Sequence, residues 1–453
     1  MINKLFLTFD DKDLSESRNR VNYFSKLAGL TIFKRLLLNF QMQEGETVIL
    51  VLKRELFPIV EKEIEDSRIT MDIKLFDPKE KSAIQKALNT DCLFVEEESV
   101  FESSFLKELL NNSARKVISK VVIQNKLPKL QGDENTIHSG YYLIPSKKIE
   151  TFNPSDFTKT AMLSWIHEQS PKELDLGQKF YLKIDSKKKI RLGEKGLLKF
   201  LRKPTDPLIS RNLNRPVSLF LTRFLMHTPV IPNVMTLVTF GISLLSVFFM
   251  VWVNKGIESY IYVAIGGLLF HMASVVDGCD GELARLKFQF SPTGELLDGL
   301  IDDIKNALFT IAMGIHSYWT FLHTNPELAN YYYYGIWLVG LAFAGSKILQ
   351  YRQLFVKQTS KDILDYTYYF EESTDEKQLS FFSRFIAFFR DFARSDFMAF
   401  FAMLIGLVSL IGYLAFKAPS LYHIVFWIYG AFAIAMLFLV LSQTIINSKK
   451  ASA

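Results

Sequence analysis

The chain has 453 residues, 40 of them Phe, with a formal net charge of +6, and a mean hydropathy of +0.14 moves it toward the membrane class. Two cysteines, Cys92 and Cys279, exclude a disulfide framework and a cysteine-built zinc site. So small a charge over this length makes no case for nucleic acid, and its crowding ahead of the apolar half favours a membrane surface.

The opening MINKLFLTFDDKD places acids before any apolar run of signal-peptide length. No cleaved secretory signal is expected, and the first half is expected to stay cytosolic. From residue 3 to about 168, strand-like KLFLTF, TVILVLK, DIKLF, CLFVE, KVISKVVI and GYYLIP alternate with helix-like TIFKRLLLNFQ, LFPIVEKEIED, KEKSAIQKALN and FLKELLNN. The alternation predicts an α/β domain with a largely parallel sheet over residues 1–170.

In order and spacing this half resembles the sugar-phosphate nucleotidyltransferases, a Rossmann-type fold, through GLTIFKRLLLNFQ…TVILVL and the late HSGYYLIP. It departs from them at two places. The first strand runs into Thr8-Phe-Asp-Asp-Lys-Asp-Leu-Ser with no glycine before Gly29, so the glycine-rich phosphate cradle is missing. After CLFVE, where such enzymes carry a metal-binding aspartate, stands Glu96-Glu97-Glu98. The resemblance therefore implies a decayed, inactive cytidylyltransferase, left to bind a ligand, regulate, or hold a soluble partner.

Residues 171–228 read as a basic linker. Arg191, Lys195, Lys199, Arg202, Lys203, Arg211, Arg215 and Arg223 precede the first apolar segment, and 194–226 mixes Leu and Phe with Lys and Arg at helical intervals. One or two interfacial helices are expected there.

Residues 229–447 hold apolar segments at about 231–253, 259–279, 296–322, 331–356, 396–416 and 420–445. Each is long enough to cross a bilayer, which predicts an all-α polytopic domain of six transmembrane helices. The loops near 254–258, 323–330 and 417–419 hold at most one Lys or Arg each. The fourth-to-fifth connection and its flanks hold Lys347, Arg352, Lys357, Lys361, Lys377, Arg384, Arg390 and Arg394. This asymmetry predicts both termini, and the helix ends bearing residues 277–302, on the cytosolic side.

Four carboxylates interrupt the second and third segments, where they are too costly to persist without a use. Asp277 and Asp280 stand at i, i+3 and Asp298 and Asp302 at i, i+4, so each pair shares a helix face and all four are expected to meet in one cavity. Like charges so close need cations, and hard oxygen ligands suit Mg²⁺ or Mn²⁺ in a two-metal site. Three neighbours read as bland: Cys279 as a small residue between aspartates, Asp303 as a flank charge turned about 100° from Asp302, and His271 as a packing residue.

Written out, the run is Asp277-Gly-Cys-Asp280-Gly281-Glu-Leu-Ala284-Arg285, eight residues, then Gly294-x-x-x-Asp298-x-x-x-Asp302. It resembles, at every fixed position, the signature of the CDP-alcohol phosphatidyltransferase family. The resemblance implies attack by an acceptor hydroxyl on the donor phosphorus next to its alcohol or lipid, with CMP leaving. It assigns Asp302 as general base and Asp277, Asp280 and Asp298 to the metals, with Asp302 also in the metal set. Gly281 and Gly294 leave room for a pyrophosphate near backbone, Ala284 keeps that face open, and Arg285 offers a planar fork to phosphate.

Pro232-Asn233-Val-Met-Thr236 is similar to the family's Pro-Asn-x-x-Thr start, which lines the cytidine side; an ordinary N-cap is the other reading of Asn233. Lys347 and Arg352 read either as acceptor-phosphate ligands or as snorkelling side chains, and family resemblance leans Arg394 toward the acceptor. Membrane lipids and a homodimer are the partners it implies. The two-part layout resembles the bifunctional inositol-1-phosphate cytidylyltransferase and di-inositol-phosphate-phosphate synthase proteins, which points to an inositol phosphate or other polyol phosphate as acceptor. The competing readings are a catalytically silent membrane-anchored regulator and a cytidylyltransferase acting through the soluble half.

Overall fold

A computed structural model describes residues 2–10, 21–112, 117–128, 135–202, 206–252, 256–357 and 394–451. The chain divides into two compact units, the first Met1–Lys203 with Met226–Pro229 and Leu286–Phe288, the second the remainder.

The first unit is built on a seven-stranded sheet: β1 Lys4–Thr8, β2 Thr47–Val51, β3 Asp72–Phe76, β4 Cys92–Val95, β5 Ser119–Asn125, β6 Thr136–Ile144 and β7 Lys172–Lys179. The strand order is β7-β5-β6-β4-β1-β2-β3. Pairings β1–β2, β1–β4, β2–β3 and β5–β7 are parallel, whereas β6 runs antiparallel to both β4 and β5. The largely parallel sheet expected from the alternation is therefore present, with one reversed strand.

Alternate residues of the central strands serve opposite faces. Leu5, Leu7, Val48 and Leu50 enter one apolar cluster, and Phe6, Ile49, Val51 and Phe94 enter another. Burial on both faces requires helices on both, supplied by α1 Ile32–Met42, α2 Phe57–Ile64, α3 Lys81–Ala87, α4 Ser103–Asn111 and α5 Lys159–Glu168. Local chemistry starts them: Thr31 caps α1 by accepting from the Lys34 amide, and Thr158 caps α5 by accepting from that of Ala161.

The segment 171–203, expected to be linker, instead completes this unit. β7 forms an edge of the sheet, Tyr181–Lys183 pairs with Ser99–Phe101, and α6 Lys187–Phe200 follows. The helix lies close because two of its buried positions are glycine. At Gly196 a Cβ would overlap the Phe180 ring, and at Gly193 it would sit 2.8 Å from Val100 Cγ1. Of the interfacial helices expected over 194–226, only the later one falls in the second unit.

That unit contains α7 Arg215–Leu225 and six long helices: α8 Pro232–Val251, α9 Ile257–Lys287, α10 Pro292–Phe321, α11 Pro326–Lys357, α12 Ser395–Phe416 and α13 Tyr422–Ala451. Among the described residues, four are long and apolar enough to cross a membrane: Pro232–Val251, Ile257–Lys287, Ser395–Phe416 and Tyr422–Ser442. The six expected helices all form, and four of them have both the length and the apolarity of a span. At 30 and 32 residues, α10 and α11 have the length, yet Glu295, Asp298, Asp302, Asp303 and Lys305 break the first, and Tyr331–Tyr334, Lys347 and Arg352 the second.

Side chains such as Leu237, Leu245 and Phe248 of α8 stay exposed at 57%, 47% and 54%, as on a helix whose solvent is lipid. Lys361, Lys377, Arg384 and Arg390 of the expected cytosolic connection, and residues 11–15 after β1, lie outside the described residues.

Because the Gly196 site has no space for a side chain, Gly196→Val is expected to destabilise the first unit by about 1–3 kcal/mol. Faster hydrogen exchange throughout β1 and β4, with α12 unchanged, is the pattern that checks it.

Candidate active site

Two helix termini set the geometry. Ser291 caps α10, its Oγ accepting from the Gly294 amide at 3.2 Å, with Pro292 in the first turn. Counting from that fixed start, Asp298, Asp302 and Lys305 fall at i, i+4 and i+7 on one face. On α9, Asp277 and Asp280 lie in its later part.

One carboxylate oxygen from each of Asp277, Asp298 and Asp302 lies within 4.8 Å of the other two. Asp280 stands beside them within hydrogen-bond reach of Asp298 and has two further partners: Oδ2 accepts from Thr236 Oγ1 at 3.0 Å, and Oδ1 accepts from the Gly281 amide. Three of the four expected carboxylates thus converge, and the fourth joins α9 to α8. Asp298 Oδ1 is buried with no hydrogen-bond partner. An all-oxygen set in which Asp298 Oδ1 lacks any partner fits a hard divalent cation, so the residues present suit Mg²⁺ or Mn²⁺.

Lys305 went unnoticed in the sequence. It is 4% exposed, donates to Asp277 Oδ1 at 2.8 Å and pairs with Asp302 Oδ1. The clue was available: a lysine three residues after Asp302 in an apolar segment is as costly as the aspartates themselves. Glu282 was also passed over. It is wholly buried and is held by three side chains of α7.

The other expected residues are placed as follows. Asn233 sits inside the first turn of α8, whose N-cap position is Ile231, so the N-cap reading does not hold. Its Oδ1 approaches Gly294, where a Cβ would lie 2.8 Å away. Arg285 folds back along α9 over Gly281, where a Cβ would meet its Nη1 at 3.3 Å, and its Nε and Nη2 are buried without partners. Ala284 is half-buried on the same turn.

Lys347 is bound to Asp303 Oδ1 at 2.7 Å, and Tyr351 donates to Asp303 Oδ2 at 2.9 Å. Asp303 is therefore a tie between α10 and α11 rather than a bland flank charge. Arg352 is exposed. Arg394 stands at the N-cap of α12 with its Nε 3.9 Å from Asp396. His271 packs edge-on against Phe400, consistent with a packing role.

A cavity of about 940 Å³ lies away from this cluster, lined by Ser259, Tyr260, Thr320, Tyr413, Tyr422 and His423 among others. Along α10, Asp302 to Thr320 is a rise of about 27 Å. Two of its lining polar groups are taken by neighbours behind the wall, Ser259 by His316 at 3.0 Å and His423 by Ser317 at 2.8 Å.

In the first unit the triple glutamate is closed. Glu97 pairs with Lys183 and accepts from Tyr181 Oη at 3.2 Å, while Tyr142 donates to Glu96 at 3.1 Å. Burial alone would lower the Lys183 pKa, but the Glu97 carboxylate outweighs it and holds it raised.

Residues 229–365 match the CDP-alcohol phosphatidyltransferase family. The chain is 32% identical over 141 residues to a "Bifunctional IPC transferase and DIPP synthase" of Rubrobacter xylanophilus, covering 31% of this chain and 30% of that protein. It is 30% identical over 130 residues to a protein of the same name from Archaeoglobus fulgidus, covering 28% and 24%. The chain thus spans less than a third of the length of these relatives. Among solved structures, the inositol-1-phosphate CTP transferase of T. maritima aligns with 43% of this chain and 96% of its own at 14% identity and a TM-score of 0.32. HddC of Yersinia pseudotuberculosis aligns with 43% and 100% at 14% identity and 0.33. With the aspartates converging inside the matched stretch, residues 229–365 are a CDP-alcohol phosphatidyltransferase domain.

Proposed function

We propose that the protein transfers a phosphoalcohol or phosphatidyl group from a CDP-linked donor to an acceptor alcohol and releases CMP. The observation that carries this reading is the convergence of Asp277, Asp298 and Asp302 from adjoining helices within 4.8 Å, in the stretch matched by the family.

Asp277, Asp280, Asp298 and Asp302 would hold the divalent cations, in a two-metal site. A bound Mg²⁺ or Mn²⁺ supplies Lewis-acid stabilisation of the charge that grows on departing CMP. Arg285, with two buried nitrogens lacking partners, offers its fork to the donor's phosphates. Asn233 and Thr236 face Gly294 and Asp280 from the start of α8, and we assign them, with Gly281, Ala284 and Gly294, to the CDP side. The acceptor oxygen bonds to the donor phosphorus next to its alcohol, the phosphorus–oxygen bond to CMP breaks, and the acceptor's proton passes to the Asp302 carboxylate. Lys305 holds the Asp302 side chain in place.

Lys347, Arg352 and Arg394 are the acceptor-phosphate candidates, and an inositol phosphate or other polyol phosphate is the proposed acceptor. The relatives' names support that choice. We place the transferase domain at 229–447, with both termini and the aspartates on the cytoplasmic side, in a homodimeric enzyme of phospholipid or phosphodiester-polyol biosynthesis. The asymmetry of Lys and Arg supports the sidedness. The first unit is proposed to be inactive, its Glu97 engaged by Lys183.

Membranes bearing the protein, given CDP-diacylglycerol or CDP-inositol, a panel of alcohols and Mg²⁺, should release CMP, and chelation should stop it. Asp302→Asn should still bind donor while turnover falls by about a hundredfold or more; a near-normal rate would remove Asp302 as the base. CTP with inositol 1-phosphate should yield no pyrophosphate. Lys305→Met leaves a buried acid pair without its counter-charge, expected to cost about 3–5 kcal/mol. In melting curves with chelator its transition should drop, and Mg²⁺ should restore it by more than it raises the wild type.

A further inference from the structure

Glu282 occupies the turn of α9 between Asp280 and Arg285 and is 0% exposed. Its Oε1 accepts from Arg215 Nη1 at 2.9 Å and Ser218 Oγ at 2.6 Å, and its Oε2 from Thr222 Oγ1 at 2.6 Å. The three donors stand at i, i+3 and i+7, one face of α7. The seam is tight: a Cβ at Gly278 would lie 3.2 Å from both Arg215 Nη1 and Ser218 Oγ, and Cys279 Sγ donates to the Ser218 carbonyl at 3.5 Å. Arg215 is fixed from behind by Asp206, Nε to Oδ2 at 3.2 Å. The opposite face of α7 shows Val217, Phe220 and Phe224, exposed at 44%, 59% and 58%.

Arg285 lies three residues beyond Glu282, a spacing at which Glu and Arg on one helix readily pair. They are not paired here. Glu282 is saturated by α7, and Arg285 keeps two buried nitrogens without partners. We propose that α7 acts as a clasp that satisfies Glu282 so that Arg285 stays open to the phosphates of the donor, which makes Glu282, Arg215, Ser218 and Thr222 positioning residues of the transfer site. The inference rests on the function proposed above for its ligand, and on the hydrogen-bond pattern for its mechanism. Without the clasp, a bare buried carboxylate takes the nearest cation, and on its own helix that cation is Arg285.

The test is calorimetric binding of CDP, with Mg²⁺, to the full-length protein in detergent, alongside CMP release. Arg215→Met should weaken CDP binding about tenfold, the scale of one charge-assisted hydrogen bond. Thr222→Val, which preserves shape, should weaken it less and in the same direction. Arg215→Met combined with Glu282→Gln should bind within about twofold of wild type, because the competing charge is gone. A merely structural role predicts the opposite, a double variant no better than Arg215→Met alone, and that result overturns the clasp. So does Arg215→Met binding CDP as wild type does while keeping its melting temperature. If wild type binds CDP and the rescue appears but no donor yields CMP, the clasp stands and the proposed function fails.

Discussion

A carboxylate inside a helical bundle persists only where a counter-charge or a set of donors answers it. The second unit is organised around that requirement. Asp277 and Asp302 are answered by Lys305, Asp280 by Thr236 and the Gly281 amide, and Glu282 by Arg215, Ser218 and Thr222. The partners come from α10, α8 and α7, so neutralising the acids of α9 also fixes which helices surround it. Asp298 Oδ1, like Asp396 Oδ2, is buried without a hydrogen-bond partner, and a cation beside Asp298 would answer it.

The same chemistry runs the other way in the first unit. Glu97 is closed off by Lys183 and Tyr181, and Gly140, with φ of +63°, gives it room: a Cβ there would come within 2.6 Å of Glu97 Cγ. Ammonium pairing alone does not set the two sites apart, since Lys305 holds Asp277 and Asp302 as Lys183 holds Glu97; around Lys305, however, three carboxylates converge within 4.8 Å. Two acidic motifs that look alike as strings of letters thus differ in how their carboxylates are brought together.

Much of this was legible beforehand. The alternation in residues 3–168 carried six of the seven sheet strands, because strands buried on both faces are conspicuous apolar runs. The seventh, KELDLGQK, was hidden: as an edge strand it buries only Leu174 and Leu176, and its charges read as linker. α6 was misplaced for a related reason, since the contact that binds it uses glycines, which no apolar pattern reveals. The aspartates stood out through the cost of their setting. The donors to Glu282 did not, lying 60 to 67 residues upstream, a separation that no local periodicity spans. Apolar segments at α10 and α11 were legible as helices, and the charges and tyrosines that interrupt them set them apart from the four more apolar ones.

On the proposed reading, in which Lys347 meets the acceptor, the Asp303–Lys347 tie bears on what can be taken up beside the aspartates. The ammonium arrives already matched with a monoanion, so a guest gains there only by exchange. A neutral alcohol brings nothing to trade and leaves the tie intact. A phosphate dianion offers twice the charge of the carboxylate it displaces, and on releasing Asp303 it would also free Tyr351 as a donor. Selection between plain and phosphorylated guests would then be a competition between two anions for one lysine.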